Sequence, residues 1–247
     1  MNFYLKNSLQ HFFSCVVLLS SFAQAAEEKR TLNLPPAMEL NYAIKANIRG
    51  LILDGQGTIQ WAGNRDAYKL FFETRAALAG SLLLESSEGK IDQFGFAPDV
   101  FTLKRFRKEA TSIVFDRQAG QVQFVGDVPP HQLQGGEQDR LSVLWQLLSV
   151  ARTTPARFKP GSKWSFPVLG QRNSEVWSFQ VLETQRIRTP LGEYNVLHVV
   201  RLAPEHSGSQ QMDIWLAPSL EWFPVKLRIS EENGDYIEQS IESLNKK

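Results

Sequence analysis

What this chain lacks narrows its chemistry. It holds one cysteine among 247 residues, and that residue, Cys15, sits in an apolar leader, so the remainder has no thiol. Disulfides, thiol catalysis and cysteine metal sites are thereby excluded from the body of the protein. Histidine is scarce as well, with 4 in all. Those beyond the leader are His131, His198 and His206, and none stands in an H-x-H or H-E-x-x-H spacing or beside clustered carboxylates, so no metal is expected. Neither sign of charge is in excess: Lys+Arg number 27 and Asp+Glu 26, and loss of Lys6 with the leader makes them equal. Nucleic-acid binding draws on counterion release at a basic surface and has no support here. After the leader no run is long and apolar enough to be a transmembrane segment.

The leader itself is informative. Lys6 gives a positive start, Phe12 to Phe22 (FFSCVVLLSSF) an apolar run too short to span a bilayer, and Ala23-Gln24-Ala25 an A-x-A cleavage site. We expect an export signal over residues 1–25, cleaved after Ala25, and a periplasmic location for a single β-rich domain over 26–247. A retained anchor fits less well, because Ser20 and Ser21 interrupt the run and no basic stop-transfer flank follows. Acylation at Cys15 fits poorly too, because Phe12-Phe13-Ser14 is not the small-residue approach that it needs.

From Leu40 onward apolar residues recur with period two: Tyr68, Leu70 and Phe72; Val122 and Phe124; Trp177, Phe179 and Val181; Tyr194, Val196, His198 and Val200. This spacing predicts half-buried antiparallel strands. Turn signals fall between them, at Gly63-Asn64-Arg65-Asp66, Ser87-Glu88-Gly89, Arg117-Gln118-Ala119-Gly120, Thr189-Pro190-Leu191-Gly192 and Glu232-Asn233-Gly234-Asp235. One segment breaks the rhythm. Gln138 to Ala151 has Leu141, Leu144, Trp145, Leu147 and Leu148 at helical spacing, with Asp139 as N-cap or first-turn acid and Thr153-Thr154-Pro155 as a stop. Gly126 to Gly136, with two prolines and three glycines, reads as the loop before it. The helix has one apolar face, and in an otherwise β protein the surface available to cover it is the sheet. The expected fold is therefore mainly β: a single curved antiparallel sheet, half-barrel or open barrel, with one main helix packed on or in its concave face.

Ordered landmarks add to this. Leu40-Asn41-Tyr42, Ser86-Ser87-Glu88-Gly89, Phe94-Gly95-Phe96-Ala97-Pro98, Gln138-Asp139-Arg140-Leu141-Ser142, Thr189-Pro190-Leu191-Gly192, Ile214-Trp215-Leu216-Ala217-Pro218 and Phe223-Pro224-Val225 follow one another along the chain. In this order they resemble the bacterial envelope family catalogued as domain of unknown function 3108. That resemblance implies no established reaction. It does imply an architecture similar to the periplasmic lipoprotein carriers, whose half-barrel is covered by helices and holds acyl chains in an apolar concavity. Those carriers have several lid helices, and this chain has one strong helical segment.

No catalytic pattern emerges from the residues. There is no G-x-S-x-G elbow, and His206-Ser207-Gly208-Ser209 is a polar turn without an orienting carboxylate. Asp139 and Ser142, three residues apart at a helix start, read as capping residues. Gly50, Gly55 and Gly57 lack the Lys-Ser/Thr of a phosphate loop and read as turn and bulge glycines. The cluster Lys104, Arg105, Arg107 and Lys108 has the charge to meet phosphates or anionic lipid, but strand alternation splits it between faces, so it reads as a solvated surface. No cofactor is expected, and the chain is not read as an enzyme. Its aromatic supply, 11% of residues, points to binding. Trp61, Phe71, Phe124, Trp145, Phe166, Trp177 and Trp215 are the candidate hydrophobic ligand surface, or else they fill the core. Three roles follow: a non-catalytic carrier for a lipid, lipoprotein or other hydrophobic envelope component; a scaffold acting through an envelope protein partner; and a hydrolase of envelope polymers.

Overall fold

A computed structural model of the protein describes residues 32–77, 79–202 and 210–246. The leader, with its expected cleavage site, and the His206 turn lie outside the described residues. Strands β1 (Met38–Ile48), β2 (Leu51–Gly63), β3 (Ala67–Ala76), β4 (Gly80–Asp92), β5 (Gly95–Arg105), β6 (Thr111–Asp116), β7 (Gln121–Gln123) and β8 (His131–Gln132) succeed one another as an antiparallel meander. A short strand β9 (Gln138–Asp139) then leads into the helix α1 (Ser142–Thr153). A second meander follows, made of β10 (Lys163–Leu169), β11 (Ser174–Thr189), β12 (Gly192–Leu202), β13 (Gln211–Leu216), β14 (Pro224–Ser230) and β15 (Tyr236–Lys246). The two meanders join where β1 pairs with β15, which makes one sheet in the order β8-β7-β6-β5-β4-β3-β2-β1-β15-β14-β13-β12-β11-β10-β9. Every pairing is antiparallel except that of β9 with β10.

The ends of this order, β8 and β9, are not hydrogen-bonded to each other, yet they are neighbours in the chain. The sheet therefore curls into an open barrel with a seam. Backbone and side chains stitch the seam in place of a ladder: Val125 N–H donates to Gln171 O at 2.8 Å, and Gln138 Nε2 donates to Phe96 O at 2.6 Å. Curvature is helped by bulges, one at Glu88/Gly89 opposite β5 and one at Val181/Thr184 opposite β12. At the first of these the extra residue, Asp99, is on β5 beside Pro98, which has no N–H to donate to a regular ladder.

The period-two reading holds on β3, where Tyr68, Leu70 and Phe72 are all buried. On β12 the pattern changes phase. Val196 and Leu197 are both buried, and Val199 continues the core side, so His198 and Val200 are only half-buried. His198 stacks instead on Trp215 at 4.7 Å. Ser87-Glu88-Gly89 is not a turn: these residues run inside β4. Gly89 is required there by close approach, since a Cβ at that position would lie 2.2 Å from Ala97 O. The other expected turns fall between strands, and Arg49 and Gly50, with φ of 54° and 80°, form the two-residue β1–β2 turn whose central residues both need positive φ.

Helix α1 lies within the barrel and is buried on most of its circumference. Its Leu141, Trp145 and Leu148 side joins the core built largely on β1–β7, while Val143, Leu147 and Val150 join that built on β10–β14. The helix is thus a plug shared by the two meanders rather than a lid on one face. It begins later than the sequence pattern suggested. Asp139 is not its N-cap but the end of β9, from which its Oδ1 reaches forward to accept from Leu141 N–H at 2.8 Å and Ser142 N–H at 2.7 Å. Ser142 Oγ in turn accepts from Asp139 N–H at 3.0 Å. Two of the free amides at the helix start are satisfied this way. The helix stops at Thr153, before the Thr154-Pro155 pair.

Candidate functional site: a cavity between helix and sheet

The helix does not fill the barrel. Beside it a cavity of about 510 Å³ remains, within the range of small-molecule sites. Leu141, Leu144 and Trp145 form its helical wall. Tyr42, Ile59, Phe72 and Leu83 face them from β1 to β4. Trp177, Met212, Leu227, Ile229 and Ile237 close the opposite side from β11 to β15. These are the inward positions of their strands, so the concave face supplies the apolar lining that alternation demands.

Four charged side chains interrupt this lining: Glu85, Arg140, Glu175 and Arg201. Arg201 follows Leu197 and Val199 on the inward phase of β12 and lays its guanidinium 4.5 Å from the centre of the Trp177 ring. Burial holds its pKa below the usual arginine value. Desolvation raises the Glu85 carboxyl to about 7, with the nearby Asp139 adding to the rise and Arg140 opposing it. Arg140 stands 3.9 Å from Glu175. Two buried donors, Trp145 Nε1 and Arg201 Nε, have no hydrogen-bond partner among the described residues. An unsatisfied buried donor costs stability, and both residues line the cavity.

Next to the cavity is a polar lock on the helix. Ser87 Oγ donates to Asp139 Oδ2 at 2.5 Å and lies 2.9 Å from the Tyr68 hydroxyl. Burial lifts the Asp139 carboxyl to about 6, opposed by the hydrogen bonds it accepts. Gln146 holds the β4–β5 turn from the helix side, with Nε2 donating to Phe94 O and Oε1 accepting from Phe96 N–H, both at 2.9 Å. Three of the sequence landmarks, 86–89, 94–98 and 138–142, therefore converge on one seam. Ser87 and Asp139 are a hydroxyl and a carboxylate in hydrogen-bond contact, but at 1% and 0% exposure they offer no face to a substrate. The arrangement fastens the helix. Among the described residues, no group of three or more His, Cys, Asp or Glu side chains is placed to hold a metal, and no helix is long and apolar enough to cross a membrane.

The structure brings Trp145 and Trp177 of the expected aromatic surface together around the cavity. Trp61, Phe124 and Phe166 are buried in the core instead; Trp61 packs 6.2 Å from Trp145 and donates to Pro35 O at 3.1 Å. Phe71 and Trp215 alternate with the inward residues Phe72 and Met212 and so lie on the opposite face of the sheet. Trp215 donates there to Gln185 Oε1 at 2.9 Å and carries the Lys226 ammonium over its ring. Reasoning from aromatics alone missed the aliphatic walls and all four charges. Arg201 had a readable signal, a cation two residues on from Val199 in an apolar alternation.

Over residues 41–241 the chain matches a family described as "Protein of unknown function (DUF3108)". No curated protein matches it. Among solved structures it is similar to a β-barrel-like protein of domain of unknown function DUF1849 from Brucella abortus, with TM-score 0.56 and 12% identity, covering 86% of this chain and 98% of that one. At that identity the likeness is one of fold. A candidate exported protein with YmcC-like fold from Bacteroides fragilis aligns with TM-score 0.37 at 10% identity, over 87% of this chain and 99% of that one. A candidate outer membrane lipoprotein-sorting protein domain from Vibrio parahaemolyticus aligns with TM-score 0.33 at 8% identity, over 85% of each chain.

Proposed function

The chain belongs to the DUF3108 family, and from its geometry we propose that it is a non-catalytic carrier or binding module for a hydrophobic component of the cell envelope. The observation that carries this reading is the apolar cavity of about 510 Å³ between helix and concave sheet. An open space of this size lined by Leu, Ile, Phe, Met and Trp forgoes packing contacts that a filled core would make. A guest restores them, and each methylene it buries is worth roughly 0.8 kcal/mol. The export signal read at residues 1–25 supports a periplasmic setting, where acyl-bearing molecules need shielding from water.

The test is native mass spectrometry of the protein purified from periplasm, followed by organic extraction and lipid analysis. A stoichiometric amphiphile is the expected result. Protein that is empty, and stays empty after incubation with envelope lipids, overturns the reading.

One observation favours a scaffold acting through a partner. The β1–β2 hairpin tip carries Leu51 and Ile52, each 66% exposed, next to Leu53 and Ile48. Contiguous exposed apolar side chains of this kind mark contact surfaces.

A further inference from the structure

A second pocket, of about 420 Å³, opens on the seam where the two ends of the sheet meet. Its floor is apolar, made by the buried Phe101 and Leu103. Its walls carry Arg105 from the end of β5, Lys108 from the β5–β6 turn, Arg172 from the β10–β11 turn, and Arg140 from the segment entering the helix, with Glu109 the one carboxylate lining it. The basic cluster that reads as a solvated face in the sequence is thus divided by the fold. Arg105 and Lys108 go to this pocket, where they meet cations from distant parts of the chain.

Among the described residues no carboxylate lies within ion-pair distance of Arg105, Lys108 or Arg172, and Arg140 has only the long contact to Glu175. Arg105, Lys108 and Arg172 outnumber Glu109 in this concave site and focus a positive potential, while Arg140 is shared with Glu175 and both Arg140 and Arg105 act on the nearby Glu85; arginine forks match the oxygens of phosphate. Arg140 is also part of the wall of the apolar cavity, so the basic pocket and the cavity share a boundary. On the cavity side Trp145 Nε1 and Arg201 Nε add donors that find no acceptor among the described residues.

We propose that the seam pocket seats the phosphate-type headgroup of an amphiphile whose acyl chain occupies the cavity. The inference rests on the carrier reading above and gives that ligand its chemical class. A phosphate dianion suits this pocket better than a carboxylate, because it balances two of the surplus cations where a carboxylate balances one.

The experiment titrates the purified protein with dodecyl phosphate, 1-dodecanol and inorganic phosphate, following tryptophan fluorescence, since Trp145 and Trp177 line the cavity, with calorimetry in parallel. Dodecyl phosphate should bind about tenfold or more tightly than 1-dodecanol, the gain expected of one charge-assisted contact. Its affinity should fall with added salt, and inorganic phosphate alone should bind far more weakly. Arg105→Gln combined with Lys108→Gln and Arg172→Gln changes only exposed side chains. It should abolish the preference for dodecyl phosphate and leave 1-dodecanol binding intact. Equal affinity for the two dodecyl probes, or a triple variant that retains the preference, overturns the headgroup site while the carrier reading stands. Inorganic phosphate binding as tightly as dodecyl phosphate makes the pocket a free-anion site and breaks its link to the chain. Failure of both dodecyl probes to bind overturns the carrier reading itself.

Discussion

Ser87 and Asp139, 52 residues apart, meet through a 2.5 Å hydrogen bond that ties strand β4 to the start of helix α1. The same carboxylate accepts from the amides of Leu141 and Ser142. One side chain therefore satisfies two amides at the helix start and joins the helix to the sheet beside the cavity.

Removing this carboxylate should be costly. Asp139→Ala leaves the Leu141 and Ser142 amides buried without partners and the Ser87 hydroxyl with the Tyr68 hydroxyl alone, and we expect a loss of about 3 kcal/mol or more in urea unfolding. Asp139→Asn keeps an oxygen for both amides and should lose about half as much or less. Equal losses in the two variants would mean that charge, and not acceptor geometry, is what matters.

The buried acids also set a pH dependence. Asp139 has its carboxyl raised from 3.8 to about 6, and Glu85 from 4.5 to about 7. In each case the folded state holds a proton that the unfolded chain has already released. Their contribution to stability is therefore fully present below about pH 4 and is lost as pH rises through about 6 for Asp139 and about 7 for Glu85. Glu85→Gln removes its share, worth of order 2 kcal/mol at a half-buried site. Unfolding curves between pH 4 and 8 should show a shallower decline for the variant than for the parent protein.

Two glycines should respond differently to alanine. At Gly89 a Cβ would meet the backbone at 2.2 Å from Ala97 O and 2.7 Å from Asp99 N, with no flexible side chain to yield. Gly120, at φ +68°, has nothing within 4 Å of the added carbon. Gly120→Ala should cost about 1 kcal/mol from backbone strain alone, whereas Gly89→Ala should cost about 3 kcal/mol or prevent folding. Thermal denaturation of the pair decides this.

Filling the cavity tests occupancy without touching any charge. Leu144 is half-buried and lines the space. Leu144→Trp should lower 1-dodecanol affinity about tenfold while costing less than about 1 kcal/mol of stability, because the larger ring enters open volume. A variant that binds as well as the parent would place the ligand elsewhere.

The hairpin tip is a separate matter. Leu51→Ser with Ile52→Ser changes side chains that are 66% exposed and should alter stability by no more than about 0.5 kcal/mol. If the tip contacts a partner or a second copy, sedimentation velocity of the variant will show less association than that of the parent.

Much of the fold was legible because it follows from local periodicity. Tyr68, Leu70 and Phe72 announce one inward face, and Leu141, Leu144, Trp145 and Leu148 announce a helix. Gly89 misled for a local reason: Ser-Glu-Gly has turn chemistry, yet the glycine is there to admit the backbone of Ala97 and Pro98. The site was less legible because its parts come from far along the chain. Arg105, Arg140 and Arg172 share one pocket only after the sheet has curled, and nothing near any of them signals the others. Trp215 and Trp177 look alike in sequence, and only the phase of each strand against its neighbours puts one outside and the other in the cavity.

The pairing of β1 with β15 lies at the centre of the sheet yet joins residues as distant as Asn41 and Ser243, 202 positions apart. Loop-closure entropy makes such a contact slow to form, and synthesis delivers β15 long after β1. While the chain grows, β1 must wait with one edge bare, presenting an unpaired row of backbone donors and acceptors. Shortening the chain by residues 236–246 would make that state permanent, turning the middle of the barrel into two open edges prone to pair with other copies.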